Sequence, residues 1–178
     1  MKNNIIIIIL LRMTLLDQLI EYCKQGDLVG IKYIVSLGAD IRANDDNAVR
    51  CASRNGHLQV VKYLVSIGAD IRAGNDFSVR YAIEYSHLQI VKYLHEQGAD
   101  IRAKNDCAVR YACWYGRLEV VKYLVSIGAN VDEIRDEHKP EIFGGKIRDF
   151  YRRQRDRKKI LNIWREIVPL YYHPDAKG

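Results

Sequence analysis

The sequence contains little of what turn-rich, crosslinked or membrane-spanning proteins need. Three prolines and twelve glycines in 178 residues argue against an all-β fold, which requires many turns. Four scattered cysteines are too few to staple a small secreted domain with disulfides. The apolar run Ile5–Leu11 has seven residues, whereas a transmembrane helix needs about 20. The composition, with 48% hydrophobic and 28% charged residues, is that of one globular domain with or without a short tail.

The sequence also lacks the motifs that carry enzyme chemistry. It contains no glycine-rich dinucleotide or phosphate loop, no G-x-S-x-G nucleophile elbow and no H-E-x-x-H zinc motif. No pair of cysteines or histidines has the two- to four-residue spacing of structural zinc ligands. We therefore expect neither an enzyme, nor a metal site, nor a cofactor. Buried, reduced thiols are the interpretation of the cysteines, which are Cys23, Cys51, Cys107 and Cys113.

The positive charge of the chain is confined to one segment. The net charge is +6, and residues 146–160 hold eight basic and two acidic side chains. Because the remaining charges balance, the sequence does not predict a nucleic-acid binder that uses its whole surface. The basic residues of the segment are Lys146, Arg148, Arg152, Arg153, Arg155, Arg157, Lys158 and Lys159.

A 30-residue repeat organises most of the chain. The triplet Gly38-Ala39-Asp40 returns three times at this spacing, finally as Gly-Ala-Asn, and residues 60–69 are identical to residues 120–129. A period of this length is typical of stacked supersecondary units. Apolar residues at three- and four-residue spacing indicate two short helices in each unit. The sequence therefore predicts an all-α stack of about four helix pairs, over residues 17–37, 47–67, 77–97 and 107–127.

Local backbone geometry explains several residues of the repeat. Gly56 and Gly116 are expected in the tight turn between paired helices, where a positive φ favours glycine. Ser86 occupies the same slot in the third unit, which predicts a slightly strained turn. The aspartates expected to cap the first helix of their units are Asp46, Asp76 and Asp106. The inward-facing positions of the first helix are predicted to include Val49, Ala52 and Ser53.

Residues 56–64 (Gly-His-Leu-Gln-Val-Val-Lys-Tyr-Leu) and 68–71 (Gly-Ala-Asp-Ile) resemble the ankyrin signature G-H-x-x-V-V-x-x-L-L-x-x-G-A-D. The resemblance covers about residues 17–131 and implies an ankyrin-repeat solenoid that recognises proteins through its concave face. It also implies that His57 and His87 cap the turn between helices. The usual repeat has 33 residues, and its T-P-L-H motif is absent here, so shorter and less rigid fingers are expected.

The 30-residue form of the repeat resembles the ankyrin families of mimivirus-like giant viruses that infect amoebae. This likeness implies a host protein as the partner and the host-cell cytoplasm as the compartment. We expect the chain to be a cytoplasmic monomer.

Equivalent positions of the four units, here called slots, hold either the same residue or different residues. Slots that hold the same residue are expected to support the packing of the stack, so the slots that differ mark the candidate binding surface. The divergent slots lie on the connecting turn and on the exposed end of the first helix. The ankyrin resemblance places them on the concave face. Tryptophan, tyrosine and arginine are favoured at interface hot spots; the alternative is that Phe77 and one tyrosine pack between repeats. The candidate residues are Arg54, Asn55, Phe77, Arg80, Glu84, Tyr85, Lys104, Arg110, Trp114 and Tyr115.

The two ends of the chain depart from the repeat at 13–131. Residues 1–12 form an apolar leader whose five isoleucines favour extended structure. Met13 is an alternative start, and secretion is not expected because no A-x-A-like cleavage site follows. Residues 132–178 are expected to supply a capping helix, because a repeat stack needs closing elements.

Two alternatives stay open for this extension. The basic segment 146–160 contacts nucleic acid or an anionic membrane, or residues 160–170 dock a viral adaptor onto host machinery.

Overall fold

The computed structural model describes residues 2–101, 103–129 and 152–153, with side chains at 14–101, 107–129 and 152–153. Every regular element within these ranges is an α-helix, which confirms the predicted all-α fold. The helices are α1 (Lys2–Gln25), α2 (Leu28–Ser36), α3 (Ala43–Asn55), α4 (Leu58–Ser66), α5 (Ala73–Glu84), α6 (Leu88–Glu96), α7 (Ala103–Trp114) and α8 (Leu118–Ser126).

The helices pack in two rows. One row contains α1, α3, α5 and α7, each packed on the next, and every one of them also contacts the helix that follows it in sequence. The predicted inward residues Val49, Ala52 and Ser53 are all buried. The second helix of every unit buries an aliphatic side chain in the same slot, and these residues are Ile34, Leu64, Leu94 and Leu124. One hydrophobic core therefore runs through all four helix pairs, so that each unit stabilises its neighbours.

The apolar leader continues the first helix. Because α1 begins at Lys2, the expectation of extended structure for the isoleucine run is wrong. Isoleucine has only a moderate helix penalty, and extending a helix that already exists requires no new nucleation. Within the described residues, none of the helices combines the length and the apolar character needed to cross a membrane.

The turn between paired helices explains why glycine and histidine occur together. Gly56 has a φ of 84°, and Ser86 adopts a φ of 66° in the same slot, which confirms the predicted strain. His57 and His87 bond the preceding unit, not their own helix: their Nε2 atoms lie 2.8 Å from Lys24 O and 3.0 Å from Arg54 O. Since a carbonyl oxygen only accepts, each Nε2 carries the proton.

The residue in the histidine slot of the next unit decides whether the turn can hold a residue other than glycine. A Cβ atom on Gly56 would lie 2.6 Å from the His87 ring. The unit after Ser86 carries Arg117 in the histidine slot, and its Nε donates to Glu84 O at 2.7 Å. The flexible arginine leaves room for the Ser86 side chain, whereas the histidine ring requires glycine.

We expect Gly56→Ala to lower the free energy of unfolding by about 2 kcal/mol, against about 1 kcal/mol for Gly116→Ala. Both glycines have a positive φ, but nothing described lies within 4 Å of a Cβ on Gly116. The difference comes from displacing His87 and its hydrogen bond. Urea unfolding of both variants measures it, and adding His87→Ala to Gly56→Ala should cost less than His87→Ala alone. Equal losses for the two glycines would contradict the clash.

The connection between units contains a left-handed bend where the sequence predicted a short finger. Asn44, Asp45 and Asp46 have φ values of 54°, 56° and 55°. The corresponding residues of the next connection, 74–76, have φ between 60° and 62°. Asparagine, aspartate and glycine tolerate this region better than other residues, which explains the composition of the connection.

Asp46 does not cap its own helix, contrary to the prediction. Its Oδ1 accepts a hydrogen bond of 2.7 Å from the backbone N–H of Asp70 in the next connection. Its Oδ2 lies 3.7 Å from Nε of Arg42. A left-handed residue lacks the extended backbone of an N-cap, which explains why the carboxylate binds the neighbouring unit. Asp76 adopts the same conformation, and the side chain of Asp106 lies outside the described residues.

Candidate functional site

The row of helices α3, α5 and α7 exposes a set of interleaved arginine and aromatic side chains. Most of them contact a residue about one repeat away, so the set crosses the boundaries between units. We call this set the arginine–aromatic ladder. Its members are Arg50, Arg54, Phe77, Arg80, Tyr81, Tyr85, Tyr111 and Tyr115.

Arg80 forms the centre of the ladder. Its guanidinium carbon lies 4.7 Å from the ring centroid of Phe77 and 4.6 Å from that of Tyr111. Its Nη2 donates a hydrogen bond of 2.7 Å to the Tyr111 hydroxyl. Arg50 approaches the Phe77 ring at 5.6 Å. Such contacts stabilise a pair by about 0.5–1 kcal/mol at exposed sites, so they hold the guanidinium groups in defined orientations.

Arg54 repeats this arrangement one turn farther along the helices. Its Nε and Nη2 donate to the hydroxyl of Tyr85 at 3.2 and 2.9 Å. Its guanidinium also lies 5.2 Å from the centroid of the Tyr85 ring. The hydrogen bond to Tyr85 raises the pKa of Arg54 above its ordinary value. Arg54 is therefore a permanent positive charge tied to an exposed aromatic side chain.

A shallow depression lies at the centre of the ladder. The rings of Tyr111 and Tyr115 stack with centroids 6.5 Å apart. Burial, followed by the negative charge of Glu84, raises the pKa of Tyr115, so this phenol stays neutral well above neutral pH. The depression is lined by Phe77, Arg80, Tyr81, Glu84, Tyr111 and Tyr115.

Two family models match the part of the chain that contains these helices. The model for ankyrin repeats in many copies matches residues 18–65, and the model for ankyrin repeats in three copies matches residues 74–135. Together the matches cover more than half of the chain. The chain belongs to the ankyrin-repeat family. Ankyrin repeats generally mediate protein–protein interactions and are typically non-enzymatic.

The ankyrin units bring most of the predicted binding residues together on one surface. Arg54, Asn55, Tyr85, Trp114 and Tyr115 are exposed. Asn55 donates from Nδ2 to Cys51 O within its own helix. The half-buried candidates are Phe77, Arg80, Glu84 and Arg110, and the side chain of Lys104 lies outside the described residues. Phe77 packs between Arg50 and Arg80, in keeping with the packing alternative for that residue.

Sequence reasoning missed three members of the ladder: Arg50, Tyr81 and Tyr111. Arg50 occupies the same repeat slot as the predicted Arg80, which was a signal for it. Tyr81 and Tyr111 share a slot with Cys51, and their importance depends on contacts with a neighbouring unit. A single helix cannot reveal such contacts, because they depend on how adjacent helices are rotated against each other.

The basic segment is described only at Arg152 and Arg153, which have helical backbone and exposed side chains. Its other basic residues lie outside the described part of the chain, and so do the predicted capping helix of 132–178 and the docking segment 160–170.

The cysteines of the ankyrin units form no disulfide among themselves. Cys23 and Cys113 are buried, as predicted, and burial raises the pKa of each thiol to about 12. Both thiols therefore stay protonated near neutral pH. Cys51 and Cys107 are half-buried. Among the side chains that the structure describes, no group of three or more His, Cys, Asp or Glu residues is placed to hold a metal ion.

Proposed function

We propose that this ankyrin-repeat protein is a non-enzymatic recognition module whose partner protein binds the surface of α3, α5 and α7. We call this surface the helix-one face; it comprises the ladder together with Asn55, Glu84, Arg110 and Trp114. In the ankyrin family this row of helices lines the concave side of the solenoid. Lys104 belongs to the proposed surface by its repeat slot.

The observation that supports this proposal best is a group of exposed aromatic side chains on one face. Trp114 is 55% exposed, and Tyr85 and Tyr115 are also exposed. Large aromatic side chains bring much apolar area to an interface at little entropic cost. Arg54 and Arg80 hold neighbouring rings in place, so part of the surface is ordered before binding. Interface hot spots are enriched in tryptophan, tyrosine and arginine, and side chains that are ordered before binding lose less entropy when a partner binds.

An affinity capture with the full chain tests the proposal. The chain is immobilised, exposed to nuclease-treated cell lysate, and the retained proteins are quantified by mass spectrometry. We expect the double variant Trp114→Ala/Tyr85→Ala to retain a specific partner at least about tenfold less than the wild type, because both changes remove hot-spot candidates.

The matched control is Tyr33→Ala. Tyr33 is 60% exposed but lies on α2, in the other row of helices. This variant should retain the partner like the wild type. A partner lost with Tyr33→Ala and kept with the double variant would place the binding surface on the other row and overturn the proposal.

A second candidate function is contact with nucleic acid or an anionic membrane through 146–160. The concentration of eight basic residues in this segment favours it. It predicts binding that falls steeply with salt and is lost when Arg152, Arg153, Arg155 and Arg157 become alanine.

In the adaptor arrangement that the viral resemblance suggests, the repeats hold a client protein while residues 160–170 contact host machinery. Deleting 160–170 would then release the machinery and leave the client bound.

A further inference from the structure

The arginines of the ladder differ from those of the connections in how their charge is balanced. Arg42 lies 3.7 Å from a carboxylate oxygen of Asp46, and Arg72 lies 3.9 Å from one of Asp76. Arg50, Arg54 and Arg80 instead contact rings, a carbonyl and tyrosine hydroxyls, and form no ion pair within the described residues. Three fixed positive charges therefore lie on one face without a carboxylate in ion-pair contact, although the negative charge of Glu84 is close enough to help raise the pKa of Arg54.

These guanidinium groups are held ready to accept an anion. Arg80 uses Nη2 for the Tyr111 hydroxyl, and Arg50 uses Nη2 for Asn44 O at 2.8 Å. An arginine has five N–H donors in a planar fork that matches a carboxylate. Nε of Arg50 is buried and its Nη2 also donates to Asn47 Oδ1 at 3.5 Å, so Nη1 carries its remaining donors for a ligand. Arg80 uses only Nη2 in the bonds described above and keeps the donors of Nε and Nη1. Stacking on Phe77 already fixes both groups, so little side-chain entropy is lost on binding.

The same stacking argues against nucleic-acid bases as the ligand. Single strands bind by stacking bases on open aromatic faces. Here, Phe77 contacts two guanidinium groups and the ring of Tyr81, and Tyr111 contacts Arg80 and the ring of Tyr115. The faces of Phe77 and Tyr111 are thus engaged within the protein, while the guanidinium edges of Arg50 and Arg80 remain for hydrogen bonds.

Arg50 and Arg80 stand in the same slot of adjacent units, so their spacing follows that of α3 and α5. Packed helices lie about 8–10 Å apart. A peptide in the polyproline II conformation turns once every three residues and advances about 9 Å per turn. Its side chains at positions i and i+3 therefore lie on one side, at about the spacing of two packed helices.

We propose that the helix-one face binds an extended acidic peptide segment whose carboxylates, three residues apart, pair with Arg50 and Arg80. This inference rests on the proposed function and specifies the chemistry of the partner. Glu84 is the acidic residue at the depression of the ladder, and its negative charge acts on Tyr115 and Arg54. The proposed pairs are therefore assigned to Arg50 and Arg80.

The test measures fluorescence anisotropy of a labelled peptide of four Glu-Pro-Pro repeats against the full chain. The variant Arg50→Gln/Arg80→Gln should bind at least about tenfold more weakly, since it removes two charge-assisted pairs. The matched variant Arg42→Gln/Arg72→Gln removes the same charge from the connections and should change affinity less than about threefold. The variant Arg50→Lys/Arg80→Lys keeps the charge without the planar fork, so its affinity for the peptide should lie between those of the two Gln variants. Thermal unfolding of every variant checks that it folds.

Several outcomes would overturn the inference. Equal losses for the two Gln pairs would mean that only net charge matters, and binding unaffected by either pair would show that the peptide does not use Arg50 and Arg80. Tighter binding of a single-stranded oligonucleotide through Arg50 and Arg80 would identify nucleic acid as the ligand. No binding of the peptide to the wild type, with a captured protein still dependent on Trp114, would refute the acidic-peptide inference and leave the proposed function standing.

Discussion

Replacing Leu64 by alanine is expected to lower the free energy of unfolding by about 3 kcal/mol. Leu64 is fully buried in α4, in the middle of the stack, and belongs to the core that joins the units. The change removes apolar surface and leaves a cavity that the surrounding helices cannot fill completely. Urea unfolding of the full chain, followed by circular dichroism, measures the loss.

The matched control for this variant is Leu37→Ala. Leu37 follows α2 and is 51% exposed, so the same chemical change should cost less than about 1 kcal/mol. If Leu37→Ala destabilised the chain as much as Leu64→Ala, the assignment of the core would be wrong.

Replacing Asp46 by alanine is expected to lower the free energy of unfolding by about 2–3 kcal/mol. Asp46 is 3% exposed, and its side chain accepts a hydrogen bond from the backbone N–H of Asp70. Alanine would leave that N–H without its partner, and it also tolerates the left-handed backbone less well than aspartate. Urea unfolding measures this loss, and backbone amide exchange at Asp70 reports it locally.

Asp46→Asn separates the hydrogen bond from the charge. Asparagine keeps an acceptor oxygen and also tolerates a left-handed φ, so we expect less than half of the loss caused by alanine. Exchange at the Asp70 amide should stay slow in Asp46→Asn and become faster in Asp46→Ala. Identical behaviour of the two variants would show that the bond between units contributes nothing.

The sequence predicted the features that depend on neighbours along the chain. The 30-residue period indicated the helix pairs, and the spacing of apolar residues placed Val49 and Ala52 in the core. The replacement of glycine by Ser86 predicted a strained turn, which its φ of 66° confirms. Each of these follows from local backbone geometry or from a helical period, both of which can be read directly from residue order.

Predictions that depended on the partner of a side chain were less successful. Asp46 was expected to cap its own helix but bonds the next unit. His57 was expected to cap the turn between helices, and only the structure shows that its bond goes to Lys24 O at the end of α1 in the preceding unit. The isoleucine run was assigned by its β propensity, yet the backbone continues as α1. In each case a contact or a continuing helix outweighed the local preference of the residue.

The sequence by itself determined the repeat, the all-α class and the chemical character of the candidate surface, because these depend on period and composition. Only the tertiary structure decided which residues meet across units, as in the pairing of Arg54 with Tyr85 and of Arg80 with Tyr111, 31 residues apart in each case. Such contacts depend on the distance and rotation between packed helices. Those quantities are set by the packing of all core side chains together, and no single unit of the sequence encodes them.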